Sequence, residues 1–421
     1  MYDVLNAYLN NGMKVILHYI PGVQTMACGL WVNQGSSYES DETNGLSHFA
    51  EHLLLNAANV DNQYYKHLLE KVASEGVIYN AATTKEYTCF YFTGMARTLE
   101  LCLSCLKEIA KNNRTYLLDG FEKEKSVVLQ EATTFYSSFQ QIKERTSQAV
   151  WGNTGTGKII MGDMQRISDA NPEEIENLVN NSYVPENASL IVVGNINYEQ
   201  TLRMIEEKFS DWEDSASLTE ERPVEKEPGI YMNSGYGAST VLSIGFRTPA
   251  YCAEERPCID MMSRIIGNSG MQSRIVKELR VKKGLSYNLG SFSSFYKSRG
   301  TLGFMAVCDK NKALEATKAM VEVLQEVKEK GFAEEEIERE KRIMETSMLL
   351  AVDNITEHLR YIGKCVSMER MFYIENEIRI IQKITSEEIH KAICSVLREE
   401  HMGLAVIGEC ETEKMLETVT I

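Results

Sequence analysis

NPEEIENLVNNSYVPENASLIVVG, residues 171–194, returns 214 positions later as TSEEIHKAICSVLREEHMGLAVIG, residues 385–408. Glu173, Glu174, Ile175, Glu186, Leu190, Val192 and Gly194 recur at that constant offset as Glu387, Glu388, Ile389, Glu400, Leu404, Val406 and Gly408. Each copy predicts a capped helix, a turn and a short apolar strand closed by a glycine. A polar residue precedes an apolar pattern of helical period, and an apolar run follows it. A second pair of segments extends the repeat: FEKEKSVVLQE (121–131) resembles IEREKRIMETS (337–347).

The chain therefore reads as two similar halves, 1–212 and 230–421, joined by a polar, charged linker at 213–229 that carries two prolines. VILHYI, ACGLWVNQG, YTCFYFTG, STVLSIGFRT and GTLGFMAVCD read as strands. YYKHLLEKVASEG, TLELCLSCLKEIAKN, ALEATKAMVEVLQEVKEKG and a long stretch from Leu117 to about Val150 read as helices. Strand hairpins mixed with long helices predict α+β halves, each an antiparallel-rich sheet packed against helices.

The two halves differ in chemistry. Only the first contains HFAEH, residues 48–52. On a helix His48, Glu51 and His52 share one face. Two neutral imidazoles can hold a zinc ion, and a carboxylate beside them can take a proton from water. The order H-x-x-E-H inverts the commoner H-E-x-x-H zinc motif. A catalytic zinc needs a third protein ligand and an open position. Glu124 and Glu131 are seven residues apart, two turns along nearly the same face of a helix. One could ligate the metal while the other orients a histidine or the water. Where the first half has Glu131, the second has Ser347. The pentapeptide alone also fits a helix with solvent-facing histidines. The downstream carboxylates and the duplicated frame favour the metal.

Composition excludes several other classes. The 421 residues carry a net charge of −16, which repels phosphate backbones and argues against nucleic-acid binding. No apolar run is long enough for a membrane span, and the first residues resemble neither a secretory signal nor an Arg-rich transit peptide. Ten cysteines without framework spacing predict reduced thiols and a cytoplasmic protein. Cys102 and Cys105 fall on an amphipathic pattern and read as buried helix residues. Gly152–Lys158 matches most of a phosphate-binding loop. Ile159 replaces its Ser/Thr, however, and a helix rather than a strand precedes it, so a glycine-rich turn is expected.

With HFAEH followed by E-x6-E, the chain resembles the inverzincin metallopeptidases of the pitrilysin and mitochondrial processing peptidase family, over nearly its whole length. GSSYESDETNGLSHFAEHLLLN is similar to the family's zinc-helix segment, and EGVIYNAATTKEYTCFYF to its edge-strand segment. MGDMQRISDANPEEIENLVNNSYVPENASLIVVGNI resembles the stretch that closes its first domain. MQSRIVKELRVKKGLSYNLGSF is similar to its L-R-x6-Y motif, here Leu279, Arg280 and Tyr287. The chain departs from the pattern after the histidines, with Leu53, Leu54, Leu55 and Asn56 where an aromatic and Gly-Thr are common.

The resemblance implies two domains forming half of a clamshell chamber, and one zinc per chain held by His48, His52 and Glu131. It makes Glu51 the general base and Glu124 a supporting carboxylate. Asn80 and Ala81 would belong to a strand that pairs with an extended substrate. Arg280 and Tyr287 would contact the substrate carbonyl or its tetrahedral intermediate. The implied activity is a zinc endopeptidase acting on peptides or unfolded segments. Because one chain carries both the zinc set and the Arg280/Tyr287 set, a homodimer is expected. The alternatives are a noncatalytic peptide-binding or assembly subunit, whose kind generally loses metal ligands, and an enzyme that needs an unlike partner.

Overall fold

The apolar runs of the sequence become strands of two separate sheets in the computed structural model, which describes residues 4–56, 62–118, 120–213, 226–233, 239–410 and 414–415. The first sheet contains β1 (Val4–Tyr8), β2 (Lys14–Tyr19), β3 (Thr25–Val32), β4 (Ile78–Thr83), β5 (Thr88–Met95) and β6 (Ala188–Gly194), in the order β1-β2-β6-β3-β5-β4. The second contains β7 (Ile230–Asn233), β8 (Ser239–Thr248), β9 (Ser286–Phe295), β10 (Gly300–Asp309) and β11 (Met402–Ile407), in the order β7-β11-β8-β10-β9. In each sheet one pair is parallel, β2 with β6 and β7 with β11, and the other pairs are antiparallel. Replacing β2-β6-β3-β5-β4 by β7-β11-β8-β10-β9 maps one sheet onto the other, with β1 added at the edge of the first.

The repeated block explains this correspondence locally. The helices Pro172–Ser182 and Ser386–Val396 both begin in capping boxes, Asn171 with Glu174 and Thr385 with Glu388. Each box satisfies two N–H groups that the first turn leaves without partners. Each helix is followed by a buried strand, β6 or β11. The chain then turns at Gly194 (φ 127°) or Gly408 (φ 121°), a backbone region that side chains disfavour.

The core of the first sheet lies against the helices Leu46–Asn56 and Leu99–Ala110. Leu30, Phe90, Phe92 and Leu190 from the strands meet Phe49, Leu53, Leu103 and Leu106 from the helices. Cys102 and Cys105 are buried in this layer, and neither is in a disulfide.

The stretch expected to be helical from Leu117 to Val150 is interrupted. It forms the helices Phe121–Tyr136 and Ile142–Trp151, with the Ser138 side chain accepting from Gln140 N between them. Near this break the chain changes unit. One compact unit is Met1–Thr133, Ile160–Arg222 and Leu350–Phe372; the other is Thr134–Ile159, Pro223–Leu349 and Tyr373–Ile421. The contiguous division expected at 213–229 does not anticipate this exchange, and residues 214–225 of the expected linker lie outside the described residues.

Close packing shows why the exchanged helices fit. In the second unit Thr146 and Val150 of helix Ile142–Trp151 lie directly over Gly245 of β8. In the first unit the helix Ile355–Ser367 presses Gly363 onto Trp31 of β3, so that a Cβ there would fall 2.1 Å from the indole. Thr356 Oγ1 of the same helix is 2.9 Å from Thr93 Oγ1 of β5. The Gly152–Lys158 segment is a turn closed on itself. Gly152 ends a helix at φ 71°, and a Cβ on Gly157 would lie 1.9 Å from the Gly152 carbonyl oxygen. Among the described residues no helix is long and apolar enough to cross a membrane.

The helix Ile355–Ser367 also carries a pH dependence. His358 is buried, with its ring edge-on to His18 of β2 at 4.8 Å. Burial, and then His18, pull the His358 imidazole down to about 4. The unfolded chain protonates this residue near pH 6.5, so between the two values it binds more protons than the folded chain. His358 alone should therefore cost roughly 3 kcal/mol of stability as pH drops from about 6.5 to about 4, after which its share levels off. Urea unfolding of the intact chain across that range should show a slope that His358→Asn reduces by this share, leaving the share of His48, which burial and His52 pull down to about 3.

Candidate metal centre

A buried carboxylate sets the first turn of the helix Leu46–Asn56. Glu39 Oε2 accepts from Gly45 N at 2.8 Å and from Asn44 Nδ2 at 3.0 Å, while Oε1 accepts from Ser47 N at 2.7 Å. Negative charge is favoured at this end of a helix, where the N–H groups lack partners. Burial pushes the Glu39 carboxyl up, against the pull of the Gly45 and Ser47 N–H groups. Leu46, Phe49, Leu53 and Leu54 turn into the core. His48 and His52 face the helix Phe121–Tyr136.

There the two imidazoles converge on one carboxylate. His48 Nε2 is 3.8 Å and His52 Nε2 is 3.4 Å from Glu131 Oε2. Ligand atoms of the three residues all lie within 4.8 Å of one another. A tetrahedral zinc with ligand bonds of about 2.0–2.2 Å holds its donors about 3.3–3.6 Å apart, so the spacings of the two imidazoles from Glu131 are near what the ion needs. Two histidines and a glutamate are also a donor set of catalytic zinc. Nδ1 of His48 is buried without a hydrogen-bond partner. Burial, and then His52, pull His48 down to about 3, which keeps it neutral and able to ligate. The side chain of Glu131 is 46% exposed, so the group is open to solvent on that side.

Glu124 lies behind this group. It is buried, its Oε2 is 3.5 Å from His52 Nδ1, and it accepts from Asn56 Nδ2 at 3.2 Å. Burial pulls His52 down, but the neighbouring carboxylates of Glu124, Glu131 and Glu51 raise it overall. The arrangement leaves Nε2 of His52 facing Glu131 and holds the ring from the other side. Asn56, one of the residues that depart from the family pattern, supports Glu124.

Glu51 is tied to the sheet. Its Oε2 accepts from Thr83 Oγ1 at 2.6 Å, at the last residue of β4. Thr83 Oγ1 is 3.3 Å from Thr88 Oγ1, which donates to Gln34 O at 2.9 Å. Burial pushes the Glu51 carboxyl up, and the Thr83 hydroxyl and His52 work against it. Thr83 is a residue that the sequence reading passed over, although it closes the Asn80-Ala-Ala-Thr run quoted for the strand. Asn80 and Ala81 lie on β4, the edge of the sheet, whose first residues are exposed.

Arg280 and Tyr287 belong to the second unit. The Arg280 guanidinium carbon stands 4.5 Å from the centre of the Tyr287 ring, which is 81% exposed on β9. The pair lines an open groove of about 550 Å³ with Ser286, Asn288 and Asp309. In this unit Glu340 aligns with Glu124. It is fully buried and accepts from the Arg264 guanidinium and the Ser269 hydroxyl.

Residues 14–164 match the family described as Insulinase (Peptidase family M16), and residues 169–344 match the Peptidase M16 inactive domain. The chain belongs to the pitrilysin family of metallopeptidases. An "uncharacterized zinc protease" of Mycobacterium leprae is 24% identical over 420 residues, covering 98% of this chain and 93% of the relative. The mitochondrial-processing peptidase subunit beta of Neurospora crassa is 24% identical over 422 residues, covering 96% of this chain and 87% of that subunit. A crystal structure of a protease from Helicobacter pylori superimposes with a TM-score of 0.87 at 16% identity, covering 97% of this chain and 100% of that one, and so shares the fold.

A pitrilysin-family chain with this donor group should bind zinc measurably. Free zinc at a hundred times its Kd should stabilise the chain by about 2.7 kcal/mol, read as a rise in Tm that a chelator reverses. His52→Ala should abolish the rise. Glu124→Gln should weaken zinc binding by about 10–100-fold while leaving the ligands in place.

Proposed function

We propose that this chain is a zinc endopeptidase that cleaves peptides or unfolded polypeptide segments laid along β4. The observation that carries the reading is the meeting of His48, His52 and Glu131 beside a buried Glu51 that is hydrogen-bonded to the end of an edge strand. When bound, zinc would supply Lewis acidity to a water molecule and to the scissile carbonyl. The protein supplies the rest. Glu51 takes a proton from the attacking water and returns it to the leaving amine, a role suited to a carboxyl raised by burial. Thr83 holds Oε2 of Glu51 while the other oxygen works. Glu124 and Asn56 hold the His52 ring, so the ligand does not swing as charge develops.

The edge of β4 offers the N–H and C=O groups of alternate residues to an extended peptide, and at Ala81 the N–H now bonded to Asn80 Oδ1 at 2.9 Å would pass to the peptide. Main-chain pairing of this kind tolerates varied side chains. In this reading Arg280 and Tyr287 come from the second protomer of a homodimer and donate to the oxyanion. Two chains would enclose a chamber, and each would complete the other's site. Its ten cysteines, with no disulfide, suit a reducing compartment such as the cytoplasm.

Glu51→Gln should retain about one zinc per chain and lose turnover of a quenched fluorescent peptide. Unchanged turnover, or no zinc in either protein, would defeat the proposal and leave a peptide-binding subunit as the reading. Arg280→Ala should lose turnover as well. Dimers reassembled from equal parts of Glu51→Gln and Arg280→Ala chains should regain about a quarter of the parent activity, because half the dimers then hold one intact site. Verified mixed dimers with no recovery would place Arg280 outside the partner's site.

A further inference from the structure

The two faces of β4 differ, and only one of them leads to the metal group. Residues paired across antiparallel strands point to the same side of a sheet. Tyr79, Ala81 and Thr83 pair with Phe92, Phe90 and Thr88, on the side where Thr83 meets Glu51. Ile78, Asn80 and Ala82 pair with Thr93, Tyr91 and Cys89, on the opposite side. That opposite side carries the exchanged helix Ile355–Ser367, anchored where Thr356 meets Thr93.

The helix carries the ion pair of Glu357 and Arg360 on the side of the sheet that Tyr91 of β5 faces. Arg360 follows Thr356 by one helical turn, about 6 Å along the axis. Tyr91 follows Thr93 by two strand residues in the reverse direction, about 7 Å. The two steps match, and Arg360 acts electrostatically on the hydroxyl of Tyr91, more strongly than Glu357 does. Asn80 in turn pairs with Tyr91 across β4 and β5, on the same face of the sheet. The side chain of Arg360 is 47% exposed, and its ion-pair partner Glu357, at 2.8 Å, is 50% exposed. Such a pair contributes little, so the guanidinium can take another carboxylate at small cost.

We propose that Arg360 is a specificity-determining residue that receives an acidic side chain of a peptide bound along β4, about three residues from the cleaved bond. The assignment rests on the peptidase reading above. Thr83 marks the end of the strand at Glu51, and Asn80 lies three residues back on the other face. A bound strand alternates in the same way. Its residue beside Asn80 therefore points away from the metal group and toward Tyr91 and Arg360. The chain as a whole carries a net charge of −16, so an exposed arginine on this face gives an acidic side chain a foothold that the surrounding charge does not.

Fluorescent peptides with one Asp walked through the sequence, each matched by its Lys counterpart, test this with the zinc-loaded full chain carrying Glu51→Gln. Anisotropy reports binding without turnover, and mass spectrometry of parent digests locates the cleaved bond. Asp should bind about three- to tenfold tighter than Lys at one position about three residues from that bond. Arg360→Gln should flatten the preference and Arg360→Glu should reverse it, with cleavage by the parent background following the same order. Binding with no charge preference, or a preference that survives Arg360→Glu, overturns the assignment and leaves the peptidase reading standing. Peptides that are neither bound nor cleaved overturn both.

Discussion

The carboxylate of Glu39 is fixed in the first turn of the helix Leu46–Asn56, and the geometry of the metal group is measured from that turn. A helix that carries His48, Glu51 and His52 on one face has a freedom of rotation that Leu46, Phe49 and Leu53 remove by packing, and a freedom of translation that the cap removes. A shift of one residue along the helix axis moves a side chain by about 1.5 Å. That would carry an imidazole out of range of Glu131, which comes from a different helix. Three charge-bearing contacts in the interior make such a shift expensive. Glu39 would lose its N–H partners while buried, Glu51 would lose Thr83, and Glu124 would lose His52.

What the sequence made legible was whatever is encoded locally. The two capping boxes at Asn171 and Thr385, the strands ending at Gly194 and Gly408, and the helical spacing of His48, Glu51 and His52 all depend on neighbours a few residues away. Glu124 and Glu131 were legible as a pair on one face, but their division of labour came only from the family resemblance and not from the spacing. It depends on which of them meets His52 from the Nδ1 side, a matter of helix packing. Glu39 was invisible for a related reason. It caps from six and eight residues upstream, and no capping-box spacing marks it. Helical period covered Ile142–Trp151 only as the end of the long stretch from Leu117, and Ile355–Ser367 was not among the helices expected. Period did not say which sheet would receive them, because an apolar face fits any apolar face of matching shape. The decision lies in glycines that the pattern reading ignored: Gly245 admits Thr146 and Val150, and Gly363 admits the Trp31 indole.

The two halves show how one frame accommodates different chemistry. A carboxylate carried at the matching position of the helices Phe121–Tyr136 and Glu334–Asp353 must be balanced once it is buried, since an unpaired interior charge costs several kcal/mol. In the first unit Glu124 finds an imidazole and the amide of Asn56. In the second, Glu340 finds a guanidinium and the hydroxyl of Ser269. A guanidinium is always charged and cannot ligate a metal, so it neutralises the site by itself. An imidazole can remain neutral and present its other nitrogen to an ion. The second half has thus kept the electrostatic requirement of the frame and met it with a residue that closes the position to a metal.

In the proposed reading the edge strand joins recognition to chemistry without a loop between them. β4 is hydrogen-bonded on one side to β5 and open on the other, and its terminal Thr83 is bonded to Glu51. A peptide that pairs with the open side is registered by the backbone in steps of about 3.3 Å, so the position of any of its carbonyls relative to Glu51 follows from pairing alone. Backbone pairing positions the bond, and the two faces of the strand then meet the side chains separately. On the Glu51 face a bound residue meets Tyr79 stacked on Phe92, which favours apolar contact. On the other face it meets Asn80, Tyr91 and the charged turn of the helix Ile355–Ser367. That helix comes from the second half of the sequence, so the exchange of segments brings residues far apart in the chain to the side of the sheet next to the edge proposed to bind substrate.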